Sequence, residues 1–408
     1  MLISTEILRD AEQLEASLAE VFREIDKSAL ANTQRVLSAF QKERVSEAMF
    51  AGSSGYGYED MGRDAIEHIY AAVFGSEAAL VRQEFVNGTH ALACALFGCL
   101  RAGEKLLSVT GAVYDTLQTV IGLCGDEPGS LRQYGIGYSQ TEIGEDFTPV
   151  LRGDPSIRMV YIQRSCGYAS RDALSLREIA EIAQRAKNVR PDVIVMVDNC
   201  YGEFTETGEP TSVGADICAG SLIKNPGGGM ALRGGYICGR KNLVEAAAAR
   251  MSAPGIGGEC GSTLGQNRSV LQGFFVAPHT VAQALKTAVF CSALLEKYGF
   301  EVSPKPQDKR SDIIQKITLR SASKLVAFCG GIQAASPVDS FARPEPWQMP
   351  GYESPVVMAA GTFVSGSTSE LSCDGPMREP YTAYVQGGLT YEAGKLGIMM
   401  ALNEMLKN

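Results

Sequence analysis

The chain has 408 residues, of which 45% are hydrophobic and 20% are charged, values typical of a globular protein that can bury large cores. The formal net charge is −9, and Lys and Arg are scattered. This argues against a nucleic-acid-binding surface, because phosphate contacts require clustered cations. The sequence contains no run of 18 apolar residues, so we expect no membrane span. Early charges at Glu6 and Asp10 indicate no signal peptide.

The eleven cysteines form no CxxC pair, and most lie within apolar runs such as residues 91–100. A buried free cysteine behaves as a small hydrophobe, so we expect free thiols and a reducing, cytoplasmic location. The three histidines, His68, His90 and His279, lack the spacing of metal ligands, and we predict no metal site.

Apolar residues at helical spacing predict an N-terminal helical segment over 5–48, followed by the glycine-rich stretch 51–58. From about residue 60 to residue 240, helix and strand signals alternate. The predicted helices are 63–74, 89–101, 114–123, 175–187 and 241–250. The predicted strands are 80–86, 105–109, 158–163, 193–197, 216–219 and 234–238. This alternation predicts an α/β fold in which helices cover both faces of a mostly parallel sheet.

The last third of the chain has a different pattern. After a loop-like stretch at 252–259, the sequence predicts a long helix over 278–297. Strand and loop segments follow at 300–303, 312–319, 324–333 and 356–364, and a helix over 391–406 closes the chain. We therefore expect three parts, an N-terminal arm and subunit-contact segment (1–58), a large domain (59–277) and a smaller α+β domain (278–408).

The turn Asn87-Gly88-Thr89-His90 follows a predicted strand and opens an apolar helix. A helix start exposes backbone N–H groups that attract an anion, and the Thr89 hydroxyl would add a donor. A simple N-cap is the alternative. Further on, Tyr114 is a candidate for stacking on a cofactor ring, with His90 as a rival, although either residue could simply pack in the core.

Asp198 ends the apolar run 193–197, and Lys224 stands before Pro226 and three glycines. A strand that ends in a carboxylate, followed by a lysine on a glycine-rich turn, suits pyridoxal 5′-phosphate (PLP). The lysine would bind the cofactor's aldehyde, and the aspartate would keep its ring nitrogen protonated. Formation of a bond to the aldehyde needs a neutral amine, and burial would favour the neutral form by lowering the lysine pKa.

Ser221, three residues before Lys224, could reach the cofactor phosphate. Ser-x-x-Lys also marks Ser/Lys acyl-transfer enzymes, but there the serine starts a helix. Here Pro226 and the glycines follow at once, which disfavours that alternative.

The order of these motifs resembles that of fold type I PLP enzymes of the cystathionine β-lyase and methionine γ-lyase group. Residues 215–224 are similar to that group's strand and Ser-x-x-Lys signature. Residues 163–168, 197–204 and 224–229 resemble the branch called the aluminium resistance family of methionine γ-lyases. The resemblance extends from about Tyr56 to the C-terminus.

This resemblance implies roles for particular residues. Lys224 would bind the cofactor, Asp198 would contact its ring nitrogen and Tyr114 would stack on the ring. The phosphate would be held by Gly88, Thr89 and Ser221.

The segment Tyr56-Gly57-Tyr58 resembles the arm that completes the site of a neighbouring subunit, which implies a homodimer or a homotetramer with shared active sites. The larger group uses an Arg to bind the substrate carboxylate, but Gln386 and two glycines stand in the comparable region here. Arg378 and Arg164 are the candidates for that role.

The implied function is a PLP-dependent carbon–sulfur lyase that converts a sulfur amino acid into a 2-oxo acid, ammonia and a thiol. An aminotransferase, another amino-acid lyase or a replacement enzyme would use the same residues. A non-catalytic binding protein on this fold is the alternative from a different class, and it would not require both Asp198 and Lys224.

Overall fold

The computed structural model describes residues 3–125, 128–349, 352 and 354–407. Its helices are α1 (Thr5–Ser17), α2 (Ala19–Glu43), α3 (Met61–Phe74), α4 (Gly88–Cys99), α5 (Asp115–Ile121), α6 (Thr148–Gly153), α7 (Leu176–Val189), α8 (Lys241–Met251), α9 (Asn267–Lys297), α10 (Ala322–Ala335) and α11 (Tyr391–Met405). Within these ranges, no helix combines the length and the apolar character that crossing a membrane would require.

The large domain contains a seven-stranded sheet in the order β1-β7-β6-β5-β4-β2-β3. The strands are β1 (Ala78–Arg82), β2 (Lys105–Ser108), β3 (Gly137–Gln140), β4 (Ile157–Gln163), β5 (Ile194–Asp198), β6 (Ile217–Ser221) and β7 (Gly235–Gly239). Strand β7 is antiparallel to both neighbours, and strands β2 to β6 pair in parallel. The carboxyl ends of β4, β5 and β6 therefore meet at one edge.

Side chains of β5 alternate between two cores, which explains why its sequence is almost continuously apolar. Val195 and Val197 pack into the core that includes α3, α7 and α9. Ile194 and Met196 pack into the core that includes α4, α5 and α8. Successive side chains of a strand point to opposite faces, so a strand covered on both sides needs apolar residues throughout. The predicted three-layer α/β/α arrangement is confirmed.

The smaller domain contains a five-stranded antiparallel sheet in the order β10-β11-β12-β9-β8. Its strands are β8 (Glu301–Ser303), β9 (Gln315–Thr318), β10 (Val356–Ala359), β11 (Ser372–Pro376) and β12 (Thr382–Gln386). Helices α10 and α11 pack on this sheet, and α1 contributes Ile7 and Ala11 to the same core. Sequence patterns had not indicated β3, β11 or β12.

Two predicted elements are corrected by the structure. The segment 324–333, expected among strands and loops, lies in helix α10. Its buried residues Leu325, Phe328 and Ile332 recur at helical spacing. Helix α9 begins at Asn267 rather than at residue 278 and carries Pro278 in its interior. The predicted domain boundary at 277/278 thus falls inside a continuous helix.

All eleven cysteines are free thiols; nine of them are buried, Cys260 is half-buried and Cys124 is exposed.

Candidate active site

A cavity of about 300 Å³ lies between the two sheets, at the carboxyl ends of β4, β5 and β6. The start of α4 and strands β10 to β12 of the smaller domain complete its wall. Open α/β sheets bind ligands at this edge, because the loops that leave parallel strands surround a crevice there. Of the residues predicted from sequence, the wall contains Gly88, Thr89, Tyr114, Asp198, Ser221 and Lys224.

Lys224 follows β6 by one short turn and precedes a 3-10 turn over Asn225–Gly227. Its ammonium lies 3.8 Å from the centroid of the Tyr201 ring, a cation–π contact. The Ser369 hydroxyl donates a 3.0 Å hydrogen bond to the Lys224 carbonyl oxygen. Ser369, a residue of the smaller domain, thus helps to hold the Lys224 backbone in place.

The pKa of Lys224 moves in the direction opposite to our expectation. Burial by itself would lower it, but the acidic groups of Cys200, Tyr201 and Asp198 outweigh burial and raise the pKa above its ordinary value of 10.5. In the structure the amine is therefore held as an ammonium ion. The expectation from sequence was incomplete because it considered desolvation without the surrounding acids.

Asp198 is buried at the end of β5 and faces the cavity. Its Oδ1 accepts a 3.1 Å hydrogen bond from the Cys200 backbone N–H, and its Oδ2 accepts one of 3.3 Å from the Tyr161 hydroxyl. A carboxylate has lone pairs for about four hydrogen bonds, so Asp198 retains acceptor capacity. It forms no ion pair with a cation in the described part of the chain, and it is thus available to a protonated ring nitrogen.

The start of α4 and the end of β6 converge on one side of the cavity. Asn87 caps α4, with its Oδ1 accepting a 2.9 Å hydrogen bond from the His90 backbone N–H. A side chain on Gly88 would come within 3.1 Å of the Ser221 Cβ, so the two segments approach closely. The Thr89 hydroxyl lies 2.9 Å from that of Thr116.

The Ser221 hydroxyl is buried and has no hydrogen-bond partner among the described residues, and the same is true of the hydroxyls of Ser367 and Thr368. All three residues line the cavity. Buried polar groups in proteins are almost always paired, and hydroxyls beside a helix N-terminus suit an anion. The residues present therefore fit the phosphate of PLP, as Asp198 and Lys224 fit its ring nitrogen and aldehyde.

Aromatic rings form another part of the wall. The Tyr114 hydroxyl lies 3.0 Å from the Tyr352 hydroxyl, and the Tyr114 backbone N–H donates a 2.7 Å hydrogen bond to Gln163. Burial raises the Tyr114 pKa, so the phenol stays protonated. His90, the rival candidate for stacking, is outside the wall, and its Nδ1 accepts a 3.1 Å hydrogen bond from the Val86 backbone N–H.

Neither predicted carboxylate-binding arginine lines the cavity. Arg164 is fully buried, and its guanidinium bonds Asn199 at 2.8 Å, the Gly202 carbonyl oxygen at 3.0 Å and Glu206 at 2.9 Å. These contacts fix the turn after β5 and leave no surface for a substrate. Arg378 is exposed in the turn between β11 and β12. Neither arginine is therefore placed to bind a substrate in this cavity.

Tyr56 and Tyr58 are 93% and 73% exposed, and they contribute nothing to the cavity wall of their own chain. Their role in the site of a neighbouring subunit stays a prediction.

The structure also places residues in the wall that sequence reasoning had missed. Tyr201 has a left-handed backbone (φ 71°), which for a bulky residue marks strain of the kind found at functional sites. Tyr201 lies within residues 197–204, and the resemblance of this segment to the aluminium resistance family was the sequence signal that could have identified it. Asp374 comes from the smaller domain, and no local motif indicated it. Gln386, from the same domain, was noted only as standing in the region where the larger group has its Arg.

The fold of this protein is that of the fold type I class of PLP-dependent enzymes. The cystathionine gamma-lyase of yeast shares the fold at 16% identity, with a TM-score of 0.59 over 86% of this chain and 87% of that chain. The family model for methionine gamma-lyase matches residues 7–406, and the chain belongs to this family. The resemblance drawn from the sequence motifs is thereby confirmed.

Two similar proteins show how far this likeness extends. A carbon-sulfur lyase involved in aluminum resistance from Clostridium novyi NT is 51% identical, with a TM-score of 0.94 over 98% of this chain and 96% of that chain. The uncharacterized protein YnbB of Bacillus subtilis (strain 168) is 47% identical over 405 residues, which are 98% of this chain and 96% of YnbB.

Proposed function

We propose that this protein is a PLP-dependent carbon–sulfur lyase acting on a sulfur-containing amino acid. The reaction consumes one water and releases a 2-oxo acid, ammonia and a thiol. The observation that carries the proposal is the convergence of Lys224, Asp198 and the unpaired Ser221 hydroxyl on one cavity. The similarity to a carbon-sulfur lyase from Clostridium novyi NT supports the choice of reaction.

Each of these wall residues would contact a different part of the cofactor. Lys224 would bind the aldehyde, Asp198 would accept the N–H of the ring, and Gly88, Thr89 and Ser221 would hold the phosphate. Tyr114 would cover one face of the ring. When bound, PLP supplies an electron sink for the pair left at Cα after deprotonation.

Lys224 would move the proton at Cα of the substrate, because its amine is the basic group of the cavity wall. The Tyr201 ring, 3.8 Å from Nζ, restricts where that amine can move. The hydrogen bonds that Asp198 accepts from the Cys200 backbone N–H and the Tyr161 hydroxyl fix the orientation of its carboxyl group towards the cavity. The proton that Lys224 takes from Cα would pass to the departing sulfur, so that the sulfur leaves as a thiol.

We also propose that the active form is a homodimer or a homotetramer, in which Tyr56 and Tyr58 complete the site of a neighbouring chain. Two tyrosines exposed at 93% and 73% next to the start of α3 support this proposal.

Replacement of the lysine tests the assignment. Lys224→Ala is expected to lose the near-visible absorbance of bound PLP, its bleaching by borohydride, and thiol release. The control is Lys286→Ala, because Lys286 is ion-paired with Asp26 at 2.6 Å and lies outside the wall. Retention of both the absorbance band and turnover in Lys224→Ala would refute the proposal.

A panel of sulfur amino acids, assayed for 2-oxo acid, ammonia and thiol, separates the proposed lyase from its alternatives. An aminotransferase would form a 2-oxo acid without ammonia or thiol, and a non-catalytic binding protein would form none of the three. Absence of thiol release from every member of the panel would refute the lyase while leaving the fold assignment intact.

A further inference from the structure

A second carboxylate faces the cavity from the smaller domain. Asp374 lies on β11 and is only 8% exposed. Its Oδ1 accepts a 3.0 Å hydrogen bond from the Gln386 amide on β12, and its Oδ2 accepts one from the Tyr168 hydroxyl. These two donors orient the carboxylate and leave acceptor capacity on both oxygens, since a carboxylate accepts about four hydrogen bonds.

The Asp374 carboxylate lacks a neutralising cation in the described part of the chain. Within the described ranges no Lys or Arg forms an ion pair with it, and the charged residues of the wall are Asp198, Lys224 and Asp374. Burial raises the Asp374 pKa to about 6, against the Tyr168 hydrogen bond and the nearby Lys224 charge, so the group is mostly ionised at neutral pH. In the proposed function Lys224 is committed to the cofactor, which leaves this buried carboxylate uncompensated. Burying an unpaired charge is unfavourable, so a cationic ligand at this position would be stabilised.

The surroundings of Asp374 also suit a cation. The rings of Tyr114, Tyr168 and Tyr352 contact one another, with centroids 5.8 to 6.2 Å apart. Tyr168 connects this group of rings to Asp374 through its hydroxyl. Aromatic faces attract ammonium groups, and they do so more strongly in a desolvated site. No arginine of the described chain reaches this cavity, so its walls provide no matching charge for a second carboxylate.

On this basis, and resting on the proposed function, we propose that Asp374 selects substrates whose side chain carries a positive charge. The substrate class is a thioether amino acid with a second amino group beyond the sulfur. The ammonium would lie against Asp374 and the tyrosine rings, and this contact would orient the substrate side chain in the cavity. Gln386 and Tyr168 act as positioning residues, because they hold Asp374 rather than the substrate.

A matched pair of compounds tests this selectivity. S-(2-aminoethyl)-L-cysteine and S-propyl-L-cysteine have side chains of equal length and differ in a terminal ammonium or methyl group. Affinity for the PLP-loaded protein is read from the change in cofactor absorbance on titration, and kcat and KM from thiol release. We expect wild type to bind the aminoethyl compound at least about tenfold more tightly, the scale of one close charge pair.

Asp374→Asn keeps the shape of the side chain and removes its charge. We expect it to abolish the preference while PLP absorbance and affinity for the propyl compound stay within about twofold. Asp374→Glu, which keeps the charge, should retain part of the preference and serves as a second variant. Equal affinity of wild type for the two compounds, including no binding of either, overturns the inference, as does an unchanged preference in Asp374→Asn.

The two proposals fail separately in this design. Preferential binding of the aminoethyl compound without thiol release would refute the lyase but support the selectivity. Thiol release from both compounds at equal efficiency would support the lyase and refute the role of Asp374.

Discussion

The Ser221 hydroxyl illustrates how a single group can indicate a ligand. It is buried beside the first residue of α4, and it has no hydrogen-bond partner in the part of the chain that the structure describes. A serine that stabilised the fold would be expected to pair its hydroxyl with a neighbouring group. The hydroxyl is therefore better explained by an anion that binds at the helix start.

Ser221→Ala should weaken PLP binding by roughly tenfold to a hundredfold, the scale of one hydrogen bond to a charged group. The free energy of unfolding of the cofactor-free protein should stay the same, because the hydroxyl forms no hydrogen bond with the described residues. The matched control is Ser139→Ala, whose hydroxyl is also buried and unpaired but lies outside the cavity wall. Titration of the apoprotein with PLP measures the effect, and equal affinities of the two variants would contradict it.

At the scale of elements, the turn that carries Lys224 is packed tightly against its neighbours. A Cβ on Gly227 would lie 1.7 Å from the Leu222 carbonyl oxygen, and one on Gly273 of helix α9 would lie 2.2 Å from the Gly227 carbonyl oxygen. Glycine at both positions lets the turn and the helix backbone touch. Helix α9 thus supports the lysine turn directly, although it is distant from it in sequence.

Gly227→Ala should therefore destabilise the protein by about 1–3 kcal/mol, the usual effect of overpacking, and should weaken PLP binding because Lys224 moves. Thermal unfolding and PLP titration measure the two effects. Gly330→Ala on helix α10 is the control, since nothing lies within 4 Å of a Cβ there. An alanine in an open helical position is expected to be neutral or slightly stabilising. Similar behaviour of the two variants would argue against the packing role.

At the scale of the whole molecule, buried carboxylates with raised pKa values contribute to the pH dependence of stability. Glu203 is fully buried, and burial raises its pKa from 4.5 to about 8, although the Tyr236 hydroxyl donates a 2.7 Å hydrogen bond to it. Burial also raises the pKa of Glu209 and Asp374. Between the ordinary pKa and the raised one, the folded protein binds more protons than the unfolded chain, so stability falls as pH rises.

Glu203 alone should contribute a decline of about 1.4 kcal/mol per pH unit between its ordinary pKa of 4.5 and about 8. Glu203→Gln removes this titration, so the loss of stability from pH 5 to pH 8 should be shallower than in wild type. Urea unfolding of the cofactor-free protein at several pH values measures the slope. The exposed Glu59→Gln is the control, and parallel curves for wild type and Glu203→Gln would count against this account.

Local patterns were sufficient for most of the large domain. The apolar run before Asp198 and the glycines after Lys224 indicated a strand end and a turn, and parallel pairing of β4, β5 and β6 places such ends together. The fold class and the family were recognised from these motifs. Helix α10 was not recognised, because a short apolar run containing two glycines has no unambiguous period.

The remaining features depend on contacts between residues that are far apart in the chain. Asp374 and Gln386 reach the cavity because an antiparallel sheet of the smaller domain faces the edge of the larger sheet, a relation that no local pattern encodes. The direction of the Lys224 pKa shift and the burial of Arg164 have the same origin, since charge and solvent exposure are properties of the assembled surroundings. Sequence therefore indicates which residues can do the chemistry, whereas tertiary packing decides which of them meet, in what charge state, and beside which substrate groups.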